Sequence, residues 1–278
     1  MKLPFRGLST ALPLLLLTSL SAPLALFAQD SGVMPSSKIL FISREFTKPG
    51  RDGTPHQMTE AAYIHAAEAS KSSPHYLALA SLSGPSRALF MYSYPSFEAM
   101  EKQHLAEMAD ATYSAAIDRA SAADGDLLSA TDSSIWMMRD DLSLNPGFRA
   151  GAHLEEVLQF AVRPGHQPEW EQLVKLVMDG YKKGVPNAHW GMYEEAYGSP
   201  GGRYLVLTTV KSAADLDASF ASDKQFVAAM GEDGMKKLSE LESACVVSRE
   251  SNLFVFDPKM SHAPEAIVKA DPEFWKTK

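Results

Sequence analysis

The sequence predicts an α+β fold: two βαββαβ units in tandem, whose antiparallel sheets pair into a barrel. Three observations predict it. First, a short stretch recurs: Arg44–Gly50 reads REFTKPG and Gln159–Gly165 reads QFAVRPG, each after an apolar segment and before a helical pattern. Second, the strand, helix and turn signals that follow come in the same order in both halves, at an offset of about 115 residues. Third, both faces of several strands are apolar (Phe90 and Met91, Leu205 and Val206, Trp136 and Met137). Such strands must be covered on both sides: by helices on one face, and by the duplicate sheet on the other.

In the first half, Lys38–Arg44 is β-rich and apolar. Thr54-Pro55-His56-Gln57 then reads as a helix start, with Thr54 as cap, Pro55 at the first position and Gln57 closing a capping box. That helix runs to about Ser70, before Pro74. Strands at His75–Ser81 and Ala88–Tyr94 are joined by the turn Leu82-Ser83-Gly84-Pro85. Ser96 caps a long helix from Phe97 to about Ala120, and Ser134–Arg139 is the closing strand.

The second half repeats the order. Glu155–Arg163 alternates as a strand, and Pro168 opens a helix. Its Trp170, Leu173, Val174, Val177, Met178 and Tyr181 form one apolar stripe at helical spacing. Gly184 and Pro186 end it. Strands at His189–Ala196 and Arg203–Val210 flank a glycine-rich turn, Gly198–Gly202, and Arg87 and Arg203 hold equivalent places just before the third strands. Ser212 caps the second helix, which is expected to break at Ser222-Asp223-Lys224-Gln225, a fresh capping box. Asn252–Phe256 closes the unit. The organisation is therefore a leader at 1–28, a first unit at 36–140, a linker at 141–151, a second unit at 152–258 and a tail at 259–278.

The totals narrow the function classes. The chain has 278 residues, 45% hydrophobic and 22% charged, with net charge −8. That is ordinary globular composition, and without a basic block it excludes a phosphate-tracking nucleic-acid binder. Lys2 and Arg6, the apolar run Leu8–Phe27 and the small Ala28 before Gln29 form a secretory signal pattern. Export to the periplasm or beyond is the expectation, with no membrane-spanning segment after cleavage. Cys245 is the only cysteine, so no internal disulfide forms and no cysteine-rich metal site exists. There is no phosphate-binding glycine loop between strand and helix and no serine nucleophile elbow.

The paired βαββαβ order with its repeated K/R-P-G turn resembles the dimeric α+β barrel superfamily, fused in tandem. That superfamily of ferredoxin-like units includes antibiotic-biosynthesis-type monooxygenases, NIPSNAP-like and EthD-like proteins and haem-handling relatives. The resemblance covers roughly residues 36–258 and carries no catalytic signature. It implies a small apolar or aromatic ligand in a barrel pocket and cofactor-free oxygenase-like chemistry. Two alternatives stay open: a non-catalytic envelope scaffold or interaction protein, and a haem-binding protein. No cofactor other than haem is suggested, and a monomer or a homodimer would satisfy the tandem pairing.

Two sets of residues are candidates for a site. His75 and His189 begin the second strand of each half; with Arg87, Tyr92, Tyr94, Trp190 and Tyr193 they would line the barrel rim and bind a small aromatic or acidic ligand. The alternative is ordinary strand packing. Aligning the helices through Pro74 and Pro186, and through Ser96 and Ser212, sets Met58 on Trp170, Ala61 on Leu173, Ala62 on Val174, His65 on Val177, and His104 on Phe220. His65 and His104 would then interrupt otherwise apolar stripes, as metal or haem ligands or as satisfied semi-buried imidazoles. Glu60, Glu68 and Glu101 are near in sequence, but no short metal motif is present, and no metal is expected.

Overall fold

The computed structural model describes residues 32–70, 72 and 74–276; the leader expected at 1–28 lies outside them. Among the described residues the chain is α+β, with seven α-helices around a closed eight-stranded antiparallel barrel. In chain order the elements begin with β1 (Val33–Met34), β2 (Ile39–Thr47), α1 (Thr54–Ala69), β3 (Tyr76–Ser81), β4 (Arg87–Tyr94), α2 (Phe97–Ala109), α3 (Ala111–Gly125) and β5 (Leu128–Met138). They continue with β6 (Phe148–Arg149), β7 (Leu154–Val162), α4 (Gln167–Gly184), β8 (Gly191–Tyr197), β9 (Arg203–Val210), α5 (Ala213–Cys245), β10 (Val246–Phe256), α6 (Glu265–Ala270) and α7 (Pro272–Trp275). The barrel order is β10-β3-β4-β2-β5-β8-β9-β7, closed by pairing of β7 with β10, while β1 and β6 form a separate two-stranded ribbon.

Strand alternation sorts side chains cleanly. Leu40, Ile42, Leu79, Leu89, Met91, Trp136, Val157, Tyr193, Leu205 and Phe254 point inward and form one core. Their neighbours point outward to the helices: Tyr76, Ala78, Ala88 and Phe90 towards α1, and Met192 and Tyr204 towards α4 and α5. The helices cover the two halves differently. α4 buries Trp170, Leu173, Val174 and Met178, an apolar stripe as expected. α1 buries only two alanines, Ala66 and Ala67, beside His56 and Glu60.

Four local expectations are corrected. α1 has Gly53 (φ 68°) at its cap position and no side-chain cap, because the helix already begins at Thr54 and the expected capping box has no room. The long helix after Ser96 is split: Asp110 leaves helical geometry, and its carboxylate accepts the Tyr113 N–H at 3.0 Å, restarting the chain as α3. α5 runs through Ser222, whose hydroxyl donates back to the Ser219 carbonyl at 2.6 Å instead of capping; the break comes at Gly231, with φ 66° and ψ 176°. Finally, 259–278 is no loose tail. α6 and α7 fold over one end of the barrel, and Ile267 and Trp275 join the interior core.

Candidate ligand-binding site at the barrel mouth

With α6 and α7 across one end, the other end of the barrel opens into a cavity of about 300 Å³. This is the end where β2 finishes and β4, β5 and β9 start. Its floor is apolar (Ile42, Leu89, Met91, Trp136, Val157 and Leu205) and its rim is polar (Arg44, Gln159, Arg87, Arg203, Asp132 and Glu250). The side chains arrive by strand alternation: Ile42, Arg44 and Phe46 share the inward face of β2, as Arg87, Leu89 and Met91 share that of β4. The loop residues Gly198 and Ser199 complete the lining. Gly198 (φ 128°) lies so close to β5 that a Cβ would meet the Ser133 carbonyl oxygen and the Ser134 Cα at 2.8 Å, so only glycine brings the loop over the mouth.

The rim is built from two strained-for contacts. Arg44 pairs with Asp132 and donates to Ser134 Oγ at 3.2 Å; that hydroxyl also receives the indole N–H of the fully buried Trp136 at 2.7 Å. Arg87 donates to Glu250 at 3.1 Å, and its guanidinium carbon lies 5.4 Å from the Phe254 ring centre and 5.9 Å from that of Phe46. The Asn252 amide, donating to Glu250 at 2.7 Å, and then Arg87 hold the Glu250 carboxyl below its ordinary range. Donors are left over: Arg87 Nε is buried without an acceptor, and Arg203 has no ion-pair partner among the described residues. Three guanidinium groups face two carboxylates.

Of the seven rim residues expected from the sequence, the structure brings only Arg87 to this mouth. His75 is exposed and stacks on His262 at 4.5 Å, at the opposite end of the barrel. His189, also at that end, lies against the Thr209 carbonyl at 2.9 Å, and burial lowers its pKa. Tyr193 points into the barrel but towards the plugged end, donating to the Ser37 carbonyl at 3.2 Å. Tyr92 and Tyr94 occupy outward positions on β4; Tyr92 packs on Phe41 and Tyr76, and burial pushes its hydroxyl far above the ordinary range. Trp190 also sits outside, donating to the Leu142 carbonyl at 3.0 Å. The expected rim placed strand starts and strand ends together, although in an antiparallel barrel they alternate between the two mouths.

His65 and His104 are both exposed, so neither interrupts a buried stripe. The helix alignment through Pro74 and Pro186 is two residues out of step, and two residues turn a helix by about 200°. It carries Met58, 72% exposed, onto the buried Trp170. The buried face of α1 instead starts at His56 and Glu60.

No family model matches the sequence, and no curated protein matches it. Solved structures do match in fold. A monooxygenase-like protein from Fusobacterium nucleatum subsp. nucleatum superposes with a TM-score of 0.50 at 9% identity, over 80% of this chain and 94% of that one. An anthrone oxidase-like protein gives 0.50 at 13% identity, over 79% and 92%. A chlorite dismutase from Candidatus Nitrospira defluvii gives 0.46 at 10% identity, over 85% and 96%. At these identities the likeness is one of architecture: the chain has the α+β barrel fold of the dimeric α+β barrel superfamily.

Proposed function

We propose that this chain is an exported small-molecule-binding protein, built from two tandem ferredoxin-like units, whose barrel mouth takes an apolar or aromatic molecule bearing a carboxylate or comparable anion. One observation carries the reading: an apolar floor beneath a rim with three arginines, two carboxylates and unused guanidinium donors. A cavity of that size and make-up is typical of a site for a small organic ligand, and an anion would satisfy the leftover N–H groups at short, charge-assisted distances.

Binding is favoured over oxygenase-like turnover by what lines the cavity. No histidine or cysteine does, and the two carboxylates that could take a proton are both held by arginine. A haem would need an axial ligand; His65 and His104 are exposed on the helices and supply none to an enclosed site, so the residues expected to hold haem do not fit it. No helix among the described residues is long and apolar enough to cross a membrane. Export rests on the 1–28 pattern, and N-terminal sequencing of the protein from its native host is its test.

The binding test uses two fluorescent probes that differ by one anion, 8-anilino-1-naphthalenesulfonate and N-phenyl-1-naphthylamine. Arg203→Gln should weaken the sulfonate about tenfold, the worth of one charge-assisted hydrogen bond of about 1.5 kcal/mol, and leave the neutral probe unchanged. Equal affinity of both probes for the parent and the variant would overturn the assignment.

A further inference from the structure

Behind the barrel wall, between β2 and helices α1 and α3, four ionisable side chains converge. Glu45, His56, Glu60 and Asp124 each present one ligand-type atom, and all four atoms lie within 4.8 Å of one another. His56 Nε2 stands 2.9 Å from Glu45 Oε2, 3.5 Å from Asp124 Oδ1 and 3.8 Å from Glu60 Oε1. The His56, Glu60 and Asp124 side chains are 4%, 3% and 2% exposed. Three carboxylates around one imidazole is a large burden of negative charge in a buried site.

The other half of the barrel shows what belongs in such a place. The ladders β2–β4 and β7–β9 share one register, so Glu45 opposite Ala88 corresponds to Phe160 opposite Tyr204. His56 and Glu60, four apart on the buried face of α1, then correspond to Trp170 and Val174 on α4. There, Phe160, Trp170 and Tyr204 pack ring against ring at 4.9–5.0 Å, closing an apolar cluster with Val174 and Leu241. One half fills this space with hydrocarbon, and the other fills it with acid and imidazole. Burying polar groups in place of hydrocarbon costs stability unless something compensates them.

Part of the set is compensated within the protein. The Thr59 hydroxyl donates to Asp124 at 2.6 Å, and the His56 ring meets the edge of Phe90 at 6.3 Å. Glu60 is the exception: its Oε1 is buried, has no hydrogen-bond partner and faces the other three donors. Burial first, and then the charges of Glu45 and Asp124, push its carboxyl well above the ordinary range. A cation at the centre would satisfy this oxygen and neutralise the cluster together.

We propose that Glu45, His56, Glu60 and Asp124 form a binding site for a divalent first-row transition cation such as Mn²⁺ or Zn²⁺. Bonds of about 2.1 Å place neighbouring ligand atoms about 3.0 Å apart in octahedral and about 3.4 Å apart in tetrahedral geometry, and the spacings to His56 already bracket those values. One imidazole nitrogen with carboxylate oxygens suits Mn²⁺, Fe²⁺ or Zn²⁺ better than an all-oxygen cation. Four protein ligands in a closed pocket make the site structural. The cation clasps α1 and α3 to the sheet, where α1 offers only alanines for packing.

The test uses purified protein stripped with chelator and desalted, then titrated calorimetrically with Mn²⁺, Zn²⁺ or Ca²⁺ alone. The expected result is one equivalent of Mn²⁺ or Zn²⁺ per chain and a rise in Tm of roughly 5–10 °C at hundredfold excess over Kd. Glu60→Gln keeps the shape and removes one charge. It should fold normally, raise the Tm of the stripped protein and weaken Mn²⁺ at least tenfold; Asp124→Asn should do likewise. Absence of stoichiometric binding, equal Mn²⁺ affinity in Glu60→Gln and parent, or Ca²⁺ binding as tightly as Mn²⁺ would each overturn the proposal.

Discussion

Trp275 sits three residues from the end of the chain, yet removing its side chain should destabilise the whole barrel. The indole is 6% exposed and belongs to the interior core. Its ring lies 5.9 Å from Phe256 and 5.1 Å, edge-on, from Phe274. Phe274 stacks on His153 at 4.1 Å, and the same imidazole reaches Asp271, the cap of α7, at 2.8 Å. Trp275→Ala therefore opens a void inside the plugged mouth, where the short helices have little freedom to collapse into it. Trp→Ala in a core costs about 3–5 kcal/mol. For a domain of this size, at about 2–4 °C per kcal/mol, Tm should fall by roughly 6–20 °C. Differential scanning calorimetry measures it. A fall under about 2 °C would refute the reasoning, showing that α6 and α7 lift away without disturbing the core they cover.

Two further predictions concern other parts of the wall. Glu155 is buried in the barrel with no hydrogen-bond or ion-pair partner among the described residues, and burial, then the charge of Glu156, raises its carboxyl well above the ordinary 4.5. Since the folded-state pKa exceeds the unfolded one, its contribution is harmless below pH 4.5 and increasingly destabilising as pH rises towards the folded value. Glu155→Gln should therefore stabilise by about 1–3 kcal/mol at pH 8 and by little at pH 4, read from urea unfolding; a gap that does not change with pH would contradict this. Gly180 and Gly184 mark the close approach of α4 to α5. A Cβ on Gly184 would meet the Gln225 carbonyl oxygen at 2.6 Å, rigid backbone, whereas one on Gly180 would meet the flexible Met230 side chain at 2.6 Å and the Phe226 ring at 2.7 Å. Gly184→Ala should cost about 1–3 kcal/mol and Gly180→Ala less; the reverse order in thermal melts would count against the packing.

The architecture was legible because it rests on signals that act locally. Period-two alternation in Glu155–Arg163, the stripe from Trp170 and the caps at Ser96 and Ser212 each specify their own element. The sites were not legible, because each depends on which end of an antiparallel ladder a residue occupies and on helix phase. Pairing Arg87 with Arg203 was within reach of the sequence, but Arg44, Asp132 and Glu250 reach the mouth only once β2, β5 and β10 are in register. The buried cluster was missed by a two-residue phase error. His56 and Glu60 stand at i and i+4, a spacing that puts both on one helix face, and the outward position of Glu45 against Phe46 was readable from alternation. Asp124 had no such signal, because it reaches the cluster only through the break at Asp110 that lets α3 turn back across α1.

The two sites obey opposite rules, and that separates their roles. Around the mouth the halves nearly match: Arg87 and Arg203, Asp132 and Glu250, Leu89 and Leu205 occupy corresponding positions, and only Arg44 against Gln159 breaks the match. A ligand on the barrel axis therefore meets two similar arcs, and its orientation is set by that one difference, with Arg44 tied to Asp132 on one side and a neutral amide on the other. Exchanging the pair, Arg44→Gln with Gln159→Arg, should preserve affinity and invert the bound orientation, whereas Arg44→Gln alone should leave two orientations of similar energy. The cluster behind β2 has no such counterpart. Its partner positions are Phe160, Trp170 and Val174, so nothing in the shared architecture demands it, and its four ligating groups must be justified by what they hold.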